Sequence, residues 1–244
     1  MTTKSYISII AVVIVLMGLY AFISRQQPAA PTEPPPGAKP PQYNSRLNVG
    51  AINSNWNTLL SFADAPALGS PKAEYTLIEV GDFQCPQCGK VRPLVEELIA
   101  RSHGDAKLYF VNFPLTNAHP HALYAAQAAL AAADQGKFWP MYEVLYEHQD
   151  ELIPSEIQYY AGTEINGFDV KKYLADVNAQ ATAQRVQDQL HEVQSLNIDS
   201  TPTLLIRKTA GGTPTWYIGA NDDAIANTKG VTDLAAAPPW LVGR

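Results

Sequence analysis

The two cysteines constrain this chain more than any other feature of its sequence. They lie three positions apart in the segment Cys85-Pro86-Gln87-Cys88, and the 244 residues contain no other cysteine. Two thiols one helical turn apart can close a small disulfide ring and reopen it, and neither has a partner elsewhere for a structural bridge. We therefore expect a fold that holds one reactive dithiol at one place.

The residues around the cysteines predict a strand before them and a helix after them. Residues 75–80 are rich in β-branched side chains and are bounded by Pro71 and Gly81, as in a short strand. Pro86 suits the first position of a helix, where a missing N–H costs nothing. Apolar residues then follow at helical spacing, at Val91, Leu94, Val95, Leu98 and Ile99. Residues 107–113 predict a second strand, which completes a βαβ unit with a right-handed crossover.

The rest of the chain is mainly helical before the strand pattern returns. Helices are predicted at 121–134, 138–149, 154–161, 170–178 (capped by Asp169) and 179–196. Residues 203–207 and 215–218 predict two strands of an antiparallel hairpin. The last segment, 221–244, has weak periodicity and room for at most one short helix.

The N-terminal segment has the pattern of a membrane anchor. Residues 5–24 carry no charge, lie between Lys4 and Arg25, and match the length of a spanning helix. A cleaved signal peptide is the alternative, although its apolar core is usually shorter and the cleavage candidate Ala29-Ala30 lies beyond Arg25. Residues 26–41 are rich in proline and predict an extended, semi-rigid spacer.

The charge of the chain argues against binding to nucleic acid. The formal net charge is -6, and no cluster of Lys and Arg accompanies it. Binding to nucleic acid needs such clusters to neutralise phosphates, so we do not expect it.

The order of strand, CxxC, helix, strand, helical block, Thr-Pro and hairpin resembles the DsbA-like thiol-disulfide oxidoreductases. The residues that carry the resemblance are Glu79-Val-Gly-Asp-Phe-Gln-Cys85-Pro-Gln-Cys88-Gly, His119-Pro-His-Ala122, Gln135-Gly-Lys-Phe-Trp139 and Ser200-Thr-Pro-Thr203. It implies an α/β thioredoxin fold, a mixed sheet flanked by helices with an inserted helical domain. We expect an anchor at 1–25, a linker and lead-in at 26–66, and the thioredoxin domain at 67–244 with its insertion at about 118–196.

The two cysteines are expected to have different roles. Cys85 would face the unsatisfied N–H groups at the helix start, which lower a thiol pKa and favour a nucleophile. Cys88 lies one turn further in and suits the resolving role. The alternative is half of a zinc site, but zinc usually takes four ligands, and His119 and His121 are the only close pair of histidines. Gln87 brings no charge, so we expect a less extreme oxidant than relatives with His between the cysteines.

The resemblance implies further site residues. Glu79 would relay a proton to or from Cys88, the alternative being an exposed or salt-bridged Glu on an edge strand. Pro202 would be a cis-proline that presents the backbone of Thr201 to an extended substrate, the alternative being a trans proline that opens a strand. Pro86 and Gln87 lie between the cysteines, and Phe83 lies two residues before Cys85. All three are expected at the substrate surface, although Phe83 suits the core equally well.

Together these features predict a membrane-anchored enzyme with its catalytic domain on the extracytoplasmic side of the cell membrane. The Cys85–Cys88 pair would introduce or exchange disulfides in unfolded or partly folded secreted proteins, and a quinone-linked membrane partner would reoxidise it. No metal or organic cofactor is expected. The alternatives are a reductase of the same fold, for example in cytochrome maturation, and a thioredoxin-like metallochaperone or binding module.

Overall fold

A mixed β-sheet forms the centre of the computed structural model, which describes residues 49–65, 67–211 and 216–218. In the described residues its strands are β1 (Leu68–Gly69), β2 (Tyr75–Gly81), β3 (Ala106–Asn112), β4 (Thr203–Lys208) and β5 (Trp216–Ile218). Their order across the sheet is β1-β3-β2-β4-β5. Strands β2 and β3 are parallel, whereas β4 runs antiparallel to both β2 and β5. The predicted βαβ unit and C-terminal hairpin are therefore confirmed.

The register of the sheet brings two distant segments together. Glu79 in β2 lies opposite Phe110 on one side and Leu204 on the other, and Val80 lies opposite Thr203. Because β4 begins where β2 ends, the residues before Thr203 lie at the same end of the sheet as the residues that follow β2.

Eight helices surround the sheet in the described part of the chain. They are α1 (Val49–Ser54), α2 (Trp56–Phe62), α3 (Pro86–Arg101), α4 (Ala122–Ala133), α5 (Phe138–Glu147), α6 (Pro154–Glu164), α7 (Val170–Val177) and α8 (Gln180–Ser195). A single 3₁₀ turn, Gln149–Glu151, follows α5. The helical insert, which we define as α4 to α8, confirms the predicted helical block. Asp169 caps α7 as expected, since its Oδ1 accepts a hydrogen bond from the backbone N–H of Lys172 at 2.9 Å.

The two faces of the sheet have separate cores, since side chains alternate along a strand. Tyr75 and Leu77 of β2 belong to the apolar cluster that includes Val91 and Val95 of α3. Ile78 and Val80 belong to the opposite cluster, with Trp56 and Leu59 of α2 and Val193 of α8. Glu79 has the parity of Leu77, so it faces the side of the sheet that carries the CxxC helix.

The end of the segment predicted as a linker and lead-in forms the two helices α1 and α2. Trp56 is 1% exposed, and the Arg207 guanidinium lies 4.4 Å from the centre of its ring. Ile52 of α1 and Trp56 and Leu59 of α2 pack in the apolar cluster on one face of the sheet. The domain boundary at residue 67 stays a prediction.

The predicted anchor, the Pro-rich spacer and the C-terminal tail lie outside the described residues. None of the described helices combines the length and the apolar character needed to cross a membrane.

Candidate functional site

Cys85 stands at the N-cap of α3, directly before Pro86. Its side chain is almost fully buried, and the first turn of the helix contains no acidic residue. A hydrogen bond from Cys88 and the backbone N–H groups of Cys88 and Gln87 lower the pKa of the Cys85 thiol to about 5, against the opposing effect of burial. At neutral pH reduced Cys85 is therefore mainly a thiolate, as the sequence led us to expect.

Cys88 has the opposite environment. Its side chain is 0% exposed. Burial, followed by the interaction with Cys85, raises the pKa of the Cys88 thiol well above its ordinary value. The pair thus combines an easily ionised sulfur and one that holds its proton, which is the asymmetry that an attacking and a resolving cysteine require.

The Thr201–Pro202 segment lies against Cys85. The peptide bond between the two residues is cis, which confirms the expectation from the resemblance. The Cys85 Sγ lies 3.6 Å from the backbone oxygen of Thr201, to which it donates a hydrogen bond in its protonated thiol form. The backbone expected to receive an extended substrate is therefore directly beside the predicted nucleophile, as the register of β2 and β4 requires.

Glu79 lies in the central strand β2 and is 0% exposed, so the alternative of an exposed or salt-bridged Glu on an edge strand is wrong. The Tyr142 hydroxyl donates a hydrogen bond of 3.1 Å to Glu79 Oε2, whereas Oε1 has no hydrogen-bond partner among the described residues. Burial raises the pKa of Glu79 to about 8, although the bond from Tyr142 opposes this change. At neutral pH the carboxyl group is mainly protonated.

Two tyrosines of α5 line the space around this acid. Tyr142 and Tyr146 are both buried, and their ring centroids are 4.8 Å apart. Sequence reasoning missed the bond between Tyr142 and Glu79. The buried hydroxyl of Tyr146 has no hydrogen-bond partner among the described residues, and burial followed by the charge of Cys88 raises the pKa of Tyr146.

The residues expected at the substrate surface divide into two groups. Pro86 is exposed and Gln87 is half-buried at the start of α3, so both are accessible beside Cys85. Phe83 is 1% exposed and its ring stacks on Phe110 at a centroid distance of 4.9 Å. The expectation of a substrate contact from Phe83 is therefore wrong, because its ring fills the core beneath the CxxC segment.

Asp82 anchors the approach to the cysteines. Its Oδ1 accepts from the backbone N–H of Gln84 at 2.8 Å, and its Oδ2 accepts from that of Leu115 at 2.8 Å. The same Oδ2 lies 2.7 Å from Nδ1 of His119. These bonds show that the Asp82 carboxylate holds the turn before the cysteines.

A residue that the sequence did not indicate also contacts the CxxC segment. Gln149, in the 3₁₀ turn after α5, donates from Nε2 to the backbone oxygens of Phe83 at 2.8 Å and Cys85 at 2.9 Å. No local pattern marks this residue, since its partners lie more than sixty positions earlier in the chain.

The chain belongs to the thioredoxin family, because the family model described as Thioredoxin matches residues 63–217, more than half of the chain. Among solved structures, it is similar to the catalytic domain of Proteus mirabilis ScsC, with 20% identity and a TM-score of 0.58 over 71% of this chain and 91% of that one. Pseudomonas aeruginosa DsbA2 gives 22% identity and a TM-score of 0.55 over 67% and 91%. At these identities the likeness establishes the fold, which is the DsbA-like form of the thioredoxin fold.

Curated relatives are similar over a limited stretch. The Na(+)/H(+) antiporter NhaA 1 of Mycolicibacterium gilvum is 38% identical over 140 residues, which are 57% of this chain and 22% of that protein. NhaA 3 of Salinispora tropica is 35% identical over 138 residues, or 57% and 21%. The chain therefore spans about a fifth of the length of these relatives.

Proposed function

We propose that this protein is a thiol-disulfide oxidoreductase that works through Cys85 and Cys88. The observation that carries the proposal is the asymmetry of the pair, with the pKa of Cys85 lowered to about 5 and that of buried Cys88 raised. The Thr201 backbone oxygen, 3.6 Å from Cys85 Sγ, adds a place where a substrate chain would align.

Oxidation of a substrate dithiol would take two exchanges. A substrate thiolate attacks Sγ of Cys85 in the Cys85–Cys88 disulfide, which forms a mixed disulfide and releases the Cys88 sulfur. The second substrate thiolate then attacks the substrate sulfur of that mixed disulfide and releases Cys85 as a thiolate. The substrate loses two electrons and gains a disulfide, and the pair gains the two electrons. Reoxidation needs an acceptor, for which we propose a quinone-linked membrane partner.

The low pKa of Cys85 favours this direction. A stabilised thiolate is a good leaving group, and it stabilises the reduced protein relative to the disulfide. The value of about 5 lies between about 7 for thioredoxin and about 3.5 for DsbA. We therefore expect a reduction potential between roughly −270 and −120 mV, the values of those two proteins.

The proposed setting depends on the sequence outside the described residues. The uncharged stretch 5–24 would hold the protein in the cell membrane, and the Pro-rich segment would carry the domain to the extracytoplasmic side, where secreted proteins acquire disulfides. Ion transport, as in the antiporter relatives, is not proposed, because the shared stretch is about a fifth of their length.

Full-length protein in detergent, oxidised at Cys85–Cys88, should restore activity to reduced, unfolded ribonuclease. The same protein should show a potential in the stated range when equilibrated with glutathione. A potential below that of thioredoxin, with insulin reduction and no ribonuclease oxidation, would establish the reductase instead. Stoichiometric metal on the purified protein, with neither activity, would establish the binding module.

A Gln87→His variant should be more oxidising than the wild type. Gln87 is half-buried in the first turn of α3, and its N–H already lowers the pKa of Cys85. A cationic imidazole there would stabilise the thiolate further, so the equilibrium with glutathione should shift by about tenfold, or about 30 mV, towards the reduced protein. Gln87→Asn is the matched neutral control. An unchanged equilibrium for Gln87→His would contradict the proposal that the side chain at position 87 tunes the stability of the Cys85 thiolate.

A further inference from the structure

The side-chain amide of Gln149 binds the backbone of the segment that leads into the CxxC helix. The two hydrogen bonds from Gln149 Nε2 end on the backbone oxygens of Phe83 and Cys85. They use both protons of the amide nitrogen. The Cys85 oxygen also accepts the first bond of the helix, from the N–H of Gly89 at 3.2 Å. Gln149 therefore contacts the residue at which the backbone changes from extended to helical.

The glycine at position 89 is a second observation that points to the contact between Gln149 and α3. Glycine inside a helix is unfavourable relative to alanine, so its presence in the first turns of α3 needs a reason. A Cβ at this position would lie 2.4 Å from Gln149 Oε1 and 3.1 Å from its Cδ. The glutamine amide thus lies across the helix backbone at a place that only glycine leaves open.

We propose that Gln149 is a positioning residue for the redox pair, and that Gly89 is the opening in α3 that admits its amide. This inference rests on the proposed function. By fixing the Cys85 oxygen, the amide holds the N–H groups of Gln87 and Cys88 towards Cys85 Sγ. It also couples the position of the helical insert to that of the cysteines, because Gln149 lies two residues after the end of α5.

The first test removes the donors and keeps the length of the side chain. In Gln149→Met, the thiolate of Cys85, followed by its absorbance near 240 nm, should titrate at higher pH than in the wild type. The equilibrium with glutathione should shift by about threefold to tenfold towards the disulfide form, the effect of losing one or two ordinary hydrogen bonds. The control is Gln184→Met on the exposed surface of α8, which should leave both measurements unchanged.

The second test disturbs the contact between Gln149 and α3 by substituting Gly89. Gly89→Ala should displace the flexible end of Gln149 at little cost in stability, and should shift the pKa and the equilibrium in the same direction as Gln149→Met. In a Gln149→Ala background there is no amide to displace. Gly89→Ala should then leave both measurements where Gln149→Ala put them, and should raise the melting temperature, because alanine is the better helix former.

The inference is overturned if Gln149→Met and Gly89→Ala titrate and equilibrate like the wild type, or if the effects of Gly89→Ala and Gln149→Ala are additive. Both measurements follow the cysteine pair itself and need no turnover. A wild-type protein that oxidises no substrate would therefore count against the proposed function, whereas wild-type values in both variants would count against the positioning role alone.

Discussion

Cys88→Ser should stop turnover and accumulate a mixed disulfide through Cys85. The variant keeps the sulfur whose pKa is lowered to about 5, so attack on a substrate disulfide remains possible. The sulfur that resolves the adduct from one helical turn away is lost, and with it the advantage of an intramolecular reaction. We expect release of the adduct to slow on the order of 100-fold or more. Non-reducing electrophoresis and mass spectrometry would measure the adduct.

Cys85→Ser is the matched control for this experiment. It leaves the buried Cys88, with its raised pKa, as the only thiol, so we expect little adduct at neutral pH. Equal adducts from the two variants would contradict the assignment of Cys85 as the attacking sulfur. The melting temperature of each variant would show whether the buried hydroxyl at position 88 has disturbed the core.

Glu79→Gln should slow the exchange in which Cys88 leaves the disulfide. The raised pKa of Cys88 makes it a poor leaving group unless a proton arrives with it, and Glu79, with a pKa of about 8, holds a proton at neutral pH. The same transition state serves the reverse step, in which Cys88 resolves a mixed disulfide. We expect a loss on the order of 100-fold in both directions at pH 7, measured by stopped-flow fluorescence in single turnovers.

The pH dependence separates this proton transfer from a structural effect of the substitution. With a thiol substrate that is fully ionised above pH 7, the wild-type rate should fall as pH rises through about 8, where Glu79 loses its proton. Glu79→Gln should lack this fall. In Tyr142→Phe the fall should move to higher pH, because the bond from Tyr142 lowers the pKa of Glu79. A wild-type rate that stays flat above pH 8 would contradict the role of Glu79.

From residue 75 onwards, local patterns were enough to predict the main helices and strands and the place of the dithiol. The β-branched run in β2, the proline at the start of α3 and the helical spacing of Val91 and Val95 each depend on neighbours within a few residues. The resemblance added the cis bond at Pro202 and drew attention to Glu79, which a short apolar strand alone would not distinguish.

The contacts that tune the site were beyond sequence reasoning for a physical reason. Tyr142 and Gln149 reach the site from the helical insert, over separations of 63 and 64 residues to Glu79 and Cys85. A buried acid needs a donor, but nothing in the sequence says which of many tyrosines supplies it. Phe83 was ambiguous for a related reason, since an aromatic residue beside a reactive cysteine suits a binding surface and a core equally well.

The hydrogen bond from Tyr142 to Glu79 links the helical insert to the sheet. The acid belongs to strand β2 of the sheet, and the hydroxyl that donates to it belongs to α5 of the helical insert. A chimaera that joined this sheet to helices with phenylalanine at position 142 would enclose the Glu79 carboxyl group without the hydrogen bond that Tyr142 donates. Exchanging the helical insert for one from another protein would therefore also change the pKa of the buried acid in the sheet, because Tyr142 of the insert lowers that pKa.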